Sequence, residues 1–201
     1  MQTLLNTLAP QADMALTLDD IEALFAAKGD RMYAGEPVTQ LQHALQSGHL
    51  AEQEGAGDEL VVASFLHDLG HLINDQGETP TLRGIDDRHE YVALPFLRDL
   101  FGPAVLQPIR LHVDAKRYLC ARGDGTITGA EYWTALSIDS KRSLELQGGI
   151  FSDAQAAAFR DEPFSQDGVR LRLWDDRAKL QDAQTPPLAH YLALAGRVAA
   201  R

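Results

Sequence analysis

A chain of 201 residues is long enough for one domain with a substantial core, and its 45% apolar content is ordinary for a globular fold. A formal charge of −11 argues against nucleic acid or an anionic membrane as the main partner, while leaving room for a small anion in a local cationic pocket. With Cys120 the only cysteine, internal disulfides and thiolate metal clusters are excluded, so any metal must be held by His, Asp and Glu.

The start of the chain lacks the basic-then-apolar pattern of a leader, and no apolar run approaches the ~20 residues of a membrane span. A soluble cytoplasmic protein is predicted. Thr17 followed by Asp20 predicts a capped helix with Ile21, Leu24 and Phe25 on its apolar stripe, stopped at Gly29. A Gly- and Pro-bearing loop spans 30–37. A helix over 39–54 ends at Gly55, and Asp58 caps another that runs through Leu60, Val61, Ala63 and Leu66 to Ile73. A polar loop over 74–84 leads to a helix over 86–101, stopped by Gly102-Pro103. One or two helices follow over 103–121, then a turn at Gly123-Asp124-Gly125. A helix is predicted over 129–147, closed by Gly148-Gly149, and Ser152 caps another over 154–160. A less regular segment leads to Leu173-Trp174-Asp175, and a last helix covers 188–200. No stretch alternates convincingly enough for a strand. The expected fold is all-α, a single domain over 1–201 whose motif-bearing part runs from 33 to 175.

His67-Asp68 closes an apolar helical run, with His71 four residues on, where a continuous helix would put His67 and His71 on one face. Asp68 is rotated by about 100° from His67, but a carboxylate has two oxygens and can bridge two cations. His43, His89, His112 and Asp175 all fall at or near apolar helix positions and could complete a two-metal centre. Any one of these histidines alone reads better as a core or surface residue, and Asp68 or Asp175 alone as a cap. The set reverses that balance. His49 and His190 are left as surface or packing residues. Nitrogen and oxygen ligands suit Fe, Mn or Zn, and the spacing does not choose among them.

The His43…His67-Asp68…Asp175 pattern resembles the HD-domain superfamily, all-α metalloproteins that are mostly phosphohydrolases. Further segments are similar to one branch of it: Tyr33-Ala34-Gly35-Glu36, His67-Asp68-Leu69-Gly70-His71, His112 with Lys116-Arg117-Tyr118, the run from Ser140 to Gln147-Gly148-Gly149, and Trp174-Asp175. That branch is the PhnZ-type mixed-valent diiron oxygenases, which cleave the C–P bond of 1-hydroxy-2-aminoethylphosphonates. The resemblance implies an HD-type helical bundle with two Fe ions, an Fe(II)/Fe(III) pair. His43, His67, Asp68 and Asp175 would hold one ion, and Asp68, His89 and His112 the other. It implies a lid from Tyr33 and Glu36, with Tyr33 on the second iron when substrate is absent. It implies a phosphonate pocket from His71, Lys116, Ser140, Ser143 and Gln147.

On this reading dioxygen is the co-substrate of a 1-hydroxy-2-(amino or trimethylammonio)ethylphosphonate, and the products are phosphate and glycine or glycine betaine. The alternative is an HD-domain phosphohydrolase of a nucleotide or phosphate ester; a polyol oxygenase and a metal-stabilised binding module are weaker readings. No nucleic acid or membrane partner is expected, and the protein would be a monomer or small homo-oligomer. For the cationic end of the substrate, Met32, Tyr33, Glu36, Asp86 and Asp87 are candidates, with the loop over 75–88 in the same role.

Overall fold

Short-range side-chain chemistry sets several helix starts in the computed structural model, which describes residues 15–33, 35–74 and 80–199. Thr17, Thr39, Thr128 and Ser152 each form a capping box with the residue three positions on, satisfying amides that the first helical turn leaves free. The helices are α1 (Leu18–Lys28), α2 (Gln40–Gln53), α3 (Asp58–Leu66), α4 (Leu69–Ile73), α5 (His89–Val92), α6 (Leu94–Leu97), α7 (Pro103–Arg122), α8 (Gly129–Ala135), α9 (Ile138–Leu146), α10 (Asp153–Arg160), α11 (Ser165–Arg177) and α12 (Leu188–Ala199). A 3₁₀ turn covers Pro80–Arg83. Among the described residues the extended pairing is one isolated bridge, Met32 to Thr39. The all-α expectation holds. None of the described helices is long and apolar enough to cross a membrane.

The central element is α3. Every residue from Leu60 to Leu66 is buried, so this helix has no solvated face. It packs against α2, α7, α11 and α12. Phe65 stacks between Phe25 and Tyr191, with ring centroids 5.2 Å away on each side. Burying side chains of this size contributes about 1.5–3 kcal/mol each. The consequence for function is positional: α3 ends in the interior, and its C-terminal carbonyls favour positive charge there.

Four expected elements differ. The helix over 58–73 breaks at His67 and Asp68, so His67 and His71 do not share one continuous helix. His67 folds its Nδ1 back onto the Ser64 carbonyl at 2.8 Å, and Asp68 leaves helical geometry at φ −99, ψ 11. The helix over 86–101 becomes α5 and α6, entered through Arg88 at φ +50 and interrupted at Ala93, with Pro95 in the first turn of α6. The helix over 129–147 breaks where Leu136 turns extended and Ser137 caps α9 through the Ser140 amide. The segment read as irregular before Asp175 is the regular α11, packed along α7. Of the expected loop over 75–88, residues 75–79 lie outside the described residues, as does Ala200 of the last helix.

Candidate metal centre

Five elements bring six buried side chains to one point. His43 comes from α2, His67 and Asp68 from the break after α3, His89 from the start of α5, His112 from mid-α7 and Asp175 from α11. Gly70 makes the approach of α5 possible: a Cβ at this position would lie 2.1 Å from the His89 carbonyl oxygen.

The two oxygens of Asp68 face different groups. Oδ2 lies 3.5 Å from His43 Nε2 and 3.4 Å from His67 Nε2. The same two nitrogens lie 3.4 and 4.0 Å from Asp175 Oδ1. Oδ1 of Asp68 lies 3.3 Å from His89 Nε2 and 3.7 Å from His112 Nε2, and those nitrogens are 3.0 Å apart. Side-chain donors around an ion with ~2.0–2.2 Å bonds stand about 3–4 Å from one another. Both groups have that spacing, and they share Asp68.

Hydrogen bonding fixes which nitrogen each ring turns inward. His43 Nδ1 pairs with the Ala178 carbonyl at 2.9 Å, His67 Nδ1 with Ser64, His112 Nδ1 with Ile109 at 2.7 Å, and His89 Nδ1 with Asp87 Oδ1 at 2.9 Å. Each partner can only accept, so each Nδ1 carries the proton and each Nε2 presents a lone pair. Four lone pairs therefore converge on two carboxylates. Asp68 Oδ2 and Asp175 Oδ1 are buried with no hydrogen-bond partner. An arrangement of buried acceptors with no donor fits a cation.

The protonation preferences agree. Burial opposes charge on His43 and His89, yet Asp175 and Asp68 lift His43 to about 9, and Asp87 with Asp68 lifts His89 to about 10. Burial lowers His67 and His112. Asp68 and Asp175 stay well below the usual carboxylate range despite burial, held there by the imidazoles and, for Asp175, by Arg172.

The lid residues lie on a tight turn. Tyr33 donates its amide to Val38 and accepts from the Glu36 amide at 2.7 Å, and Gly35 supplies φ +79. The Tyr33 ring stacks on His43 at 3.9 Å. Burial first, then Asp175 and Asp68, push that phenol well above its ordinary range. Glu36 sits at the rim, ion-paired with Lys179 at 3.4 Å.

Of the expected pocket residues, Lys116 is 2% exposed and donates to Ser143 Oγ at 2.7 Å. Burial lowers its ammonium to about 7. Ser143, whose spacing alone reads as a solvated face, is thereby joined to the pocket lysine. Ser140 turns instead to Ser137, and Gln147 holds a buried, unpartnered Oε1. His71 turns Nε2 toward Asp68 Oδ1 at 3.9 Å.

Three neighbours are not evident from the sequence pattern. Asp87, a candidate for a substrate ammonium, instead uses one oxygen on His89 and the other on His71 Nδ1 at 2.8 Å, holding a ligand and a pocket residue together. Arg172 pairs Nη1 with Asp175 Oδ2 at 2.7 Å and binds Asp176, which also accepts from Tyr132. Its i, i+3 relation to Asp175 is the one signal that could have flagged it. Lys179 follows Ala178, the carbonyl that orients His43. His49 and His190 lie outside the centre, both beside Glu52.

No protein-family model matches the chain. It is 40% identical over 190 residues to the hydroxymethylphosphonate dioxygenase of Gimesia maris, covering 88% of this chain and 92% of that protein. It is 35% identical over 178 residues to a [1-hydroxy-2-(trimethylamino)ethyl]phosphonate dioxygenase (glycine-betaine-forming) of Leisingera caerulea, covering 89% and 88%. An uncharacterized protein of Acanthamoeba polyphaga mimivirus is 32% identical over 170 residues, covering 84% and 75%.

Proposed function

The chain belongs to the PhnZ-type phosphonate dioxygenases, and we propose that it cleaves the C–P bond of a 1-hydroxyalkylphosphonate with dioxygen. The products are phosphate and the carboxylate formed at C1. The four electrons taken by dioxygen come from the C1–H and C–P bonds, so no further reductant is required. The observation that carries the reading is Asp68, whose two oxygens each face a separate histidine group.

His43, His67, Asp68 and Asp175 would hold one iron and Asp68, His89 and His112 the other. An Fe(II)/Fe(III) pair supplies one-electron redox chemistry and dioxygen activation when bound. The chain's own residues do the rest. Lys116, Ser143 and His71 line the pocket and orient the phosphonate, Lys116 by charge and Ser143 as a hydrogen-bond donor. Tyr33 and Glu36 close over the site and exclude water until the substrate takes the place of the phenol. Arg172 and Asp87 hold the ligand side chains, Asp175 and His89, in place.

The test is phosphate release by the iron-reconstituted protein from hydroxymethylphosphonate and from 1-hydroxy-2-aminated ethylphosphonates. Release is expected under air and not under argon. Equal release under argon would mean hydrolysis and would refute the oxygenase reading in favour of a metal-dependent phosphohydrolase.

A further inference from the structure

The groups that could recognise a cationic substrate arm are already engaged. Met32 is 47% exposed and lies outside the centre. Tyr33 stacks on His43. Asp87 spends both oxygens on His71 and His89. Asp86 is half-exposed and takes the Arg88 amide. Glu36, the carboxylate of the lid turn, is neutralised by Lys179.

Lys179 is held firmly. The residue before it, Ala178, accepts from His43; the residue after it, Leu180, exchanges two hydrogen bonds with Gln46, each at 3.0 Å. The backbone on both sides is thus pinned to α2, and the ammonium stands 5.8 Å over the Tyr33 ring. Lys179 and Glu36 line one cavity with Tyr132, Leu136 and Leu173, and a C2 arm entering it would meet this ammonium. An incoming ammonium would have to compete with this fixed one for Glu36, the carboxylate it is paired with.

Resting on the phosphonate reading above, we infer that Lys179 is a specificity-determining residue that selects an uncharged arm at C1, as in hydroxymethylphosphonate, over an ammonium-bearing one. It works by keeping Glu36 as its own counter-ion, so that this carboxylate is not free to receive an amine.

Charge is separated from size by three probes given to the full-length, iron-loaded protein: hydroxymethylphosphonate, 1-hydroxy-2-(trimethylammonio)ethylphosphonate, and the neutral tert-butyl isostere of the latter. Wild type is expected to favour the neutral isostere over the ammonium compound by about tenfold in kcat/KM, the scale of one partly screened charge pair. Binding constants measured by calorimetry under argon should follow the same order. Lys179→Met should remove most of that ratio and Lys179→Arg should keep it. A wild-type preference for the ammonium compound would overturn the inference while leaving the phosphonate reading intact. So would a Lys179→Met variant that weakens all three probes equally. Failure of all three to release phosphate would overturn the phosphonate reading, and the inference with it.

Discussion

Replacing Arg172 by Met removes a guanidinium that is 6% exposed and holds two carboxylates. Nη1 holds Asp175 Oδ2 at 2.7 Å, which leaves Oδ1 as the oxygen turned toward His43 and His67. Breaking a buried ion pair from one side costs about 3–5 kcal/mol, because the remaining charge is stranded. Asp176, 19% exposed, regains some water, so the lower end applies, about 3 kcal/mol. For a chain of this size that is a fall of about 6–12 °C in melting temperature. The orienting role adds a separate effect: with Oδ2 released the carboxylate can rotate, and metal affinity should drop by roughly 10–100-fold. Thermal melts of metal-free and iron-loaded protein measure the first effect, and chelator competition the second. Arg172→Lys should recover part of the stability and little of the affinity, since an ammonium does not reproduce the guanidinium fork. A variant that melts early but binds metal with unchanged affinity would refute the orienting role.

Lys116 should impose a pH limit. With its ammonium lowered to about 7, charge on the pocket is lost above that pH, so KM for the phosphonate should climb toward tenfold per pH unit while kcat changes little. The same shift has a stability sign: between about 7 and the ordinary 10.5 the unfolded chain binds the proton that the native chain has released, so wild type gains stability relative to Lys116→Met as pH rises, read from melts at pH 7 and 9. Gly70→Ala should push the His89 backbone away, since the new Cβ would also stand 2.9 Å from the His89 Cα. Metal analysis should then find one equivalent bound instead of two, with a stability loss of about 1–3 kcal/mol; two tightly bound equivalents would refute the claim.

Much of the centre is legible in the sequence because its ligands are rare residue types on apolar helix faces. The capping boxes at Thr17, Thr39 and Ser152 are equally legible, since each is closed within four residues. The break at His67-Asp68 is not, because Leu66, Leu69 and Leu72 continue an apolar pattern through it. The break comes from imidazoles and carboxylates meeting in space. α11 hid for the converse reason. Its buried face carries Ser165, Gly168, Arg172 and Asp175 among its apolar residues, so the helical period is disguised by polar residues whose partners lie in other elements. Asp87, Arg172 and Lys179 take their roles from side chains across the fold, and local spacing gives no account of such pairings.

The protonation pattern of the centre links folding to metal entry. Two carboxylates held ionised in the interior would be costly alone. Arg172 compensates one, and the carboxylates in turn raise His43 to about 9 and His89 to about 10. Because each Nδ1 already has an acceptor, a second proton on either ring could sit only on the inward Nε2, where a metal would bind. Metal and proton would therefore compete for the same lone pair. Lys116 lies outside this competition: it is buried beside Ser143, and on the proposed reading a phosphonate is the anion that would satisfy it.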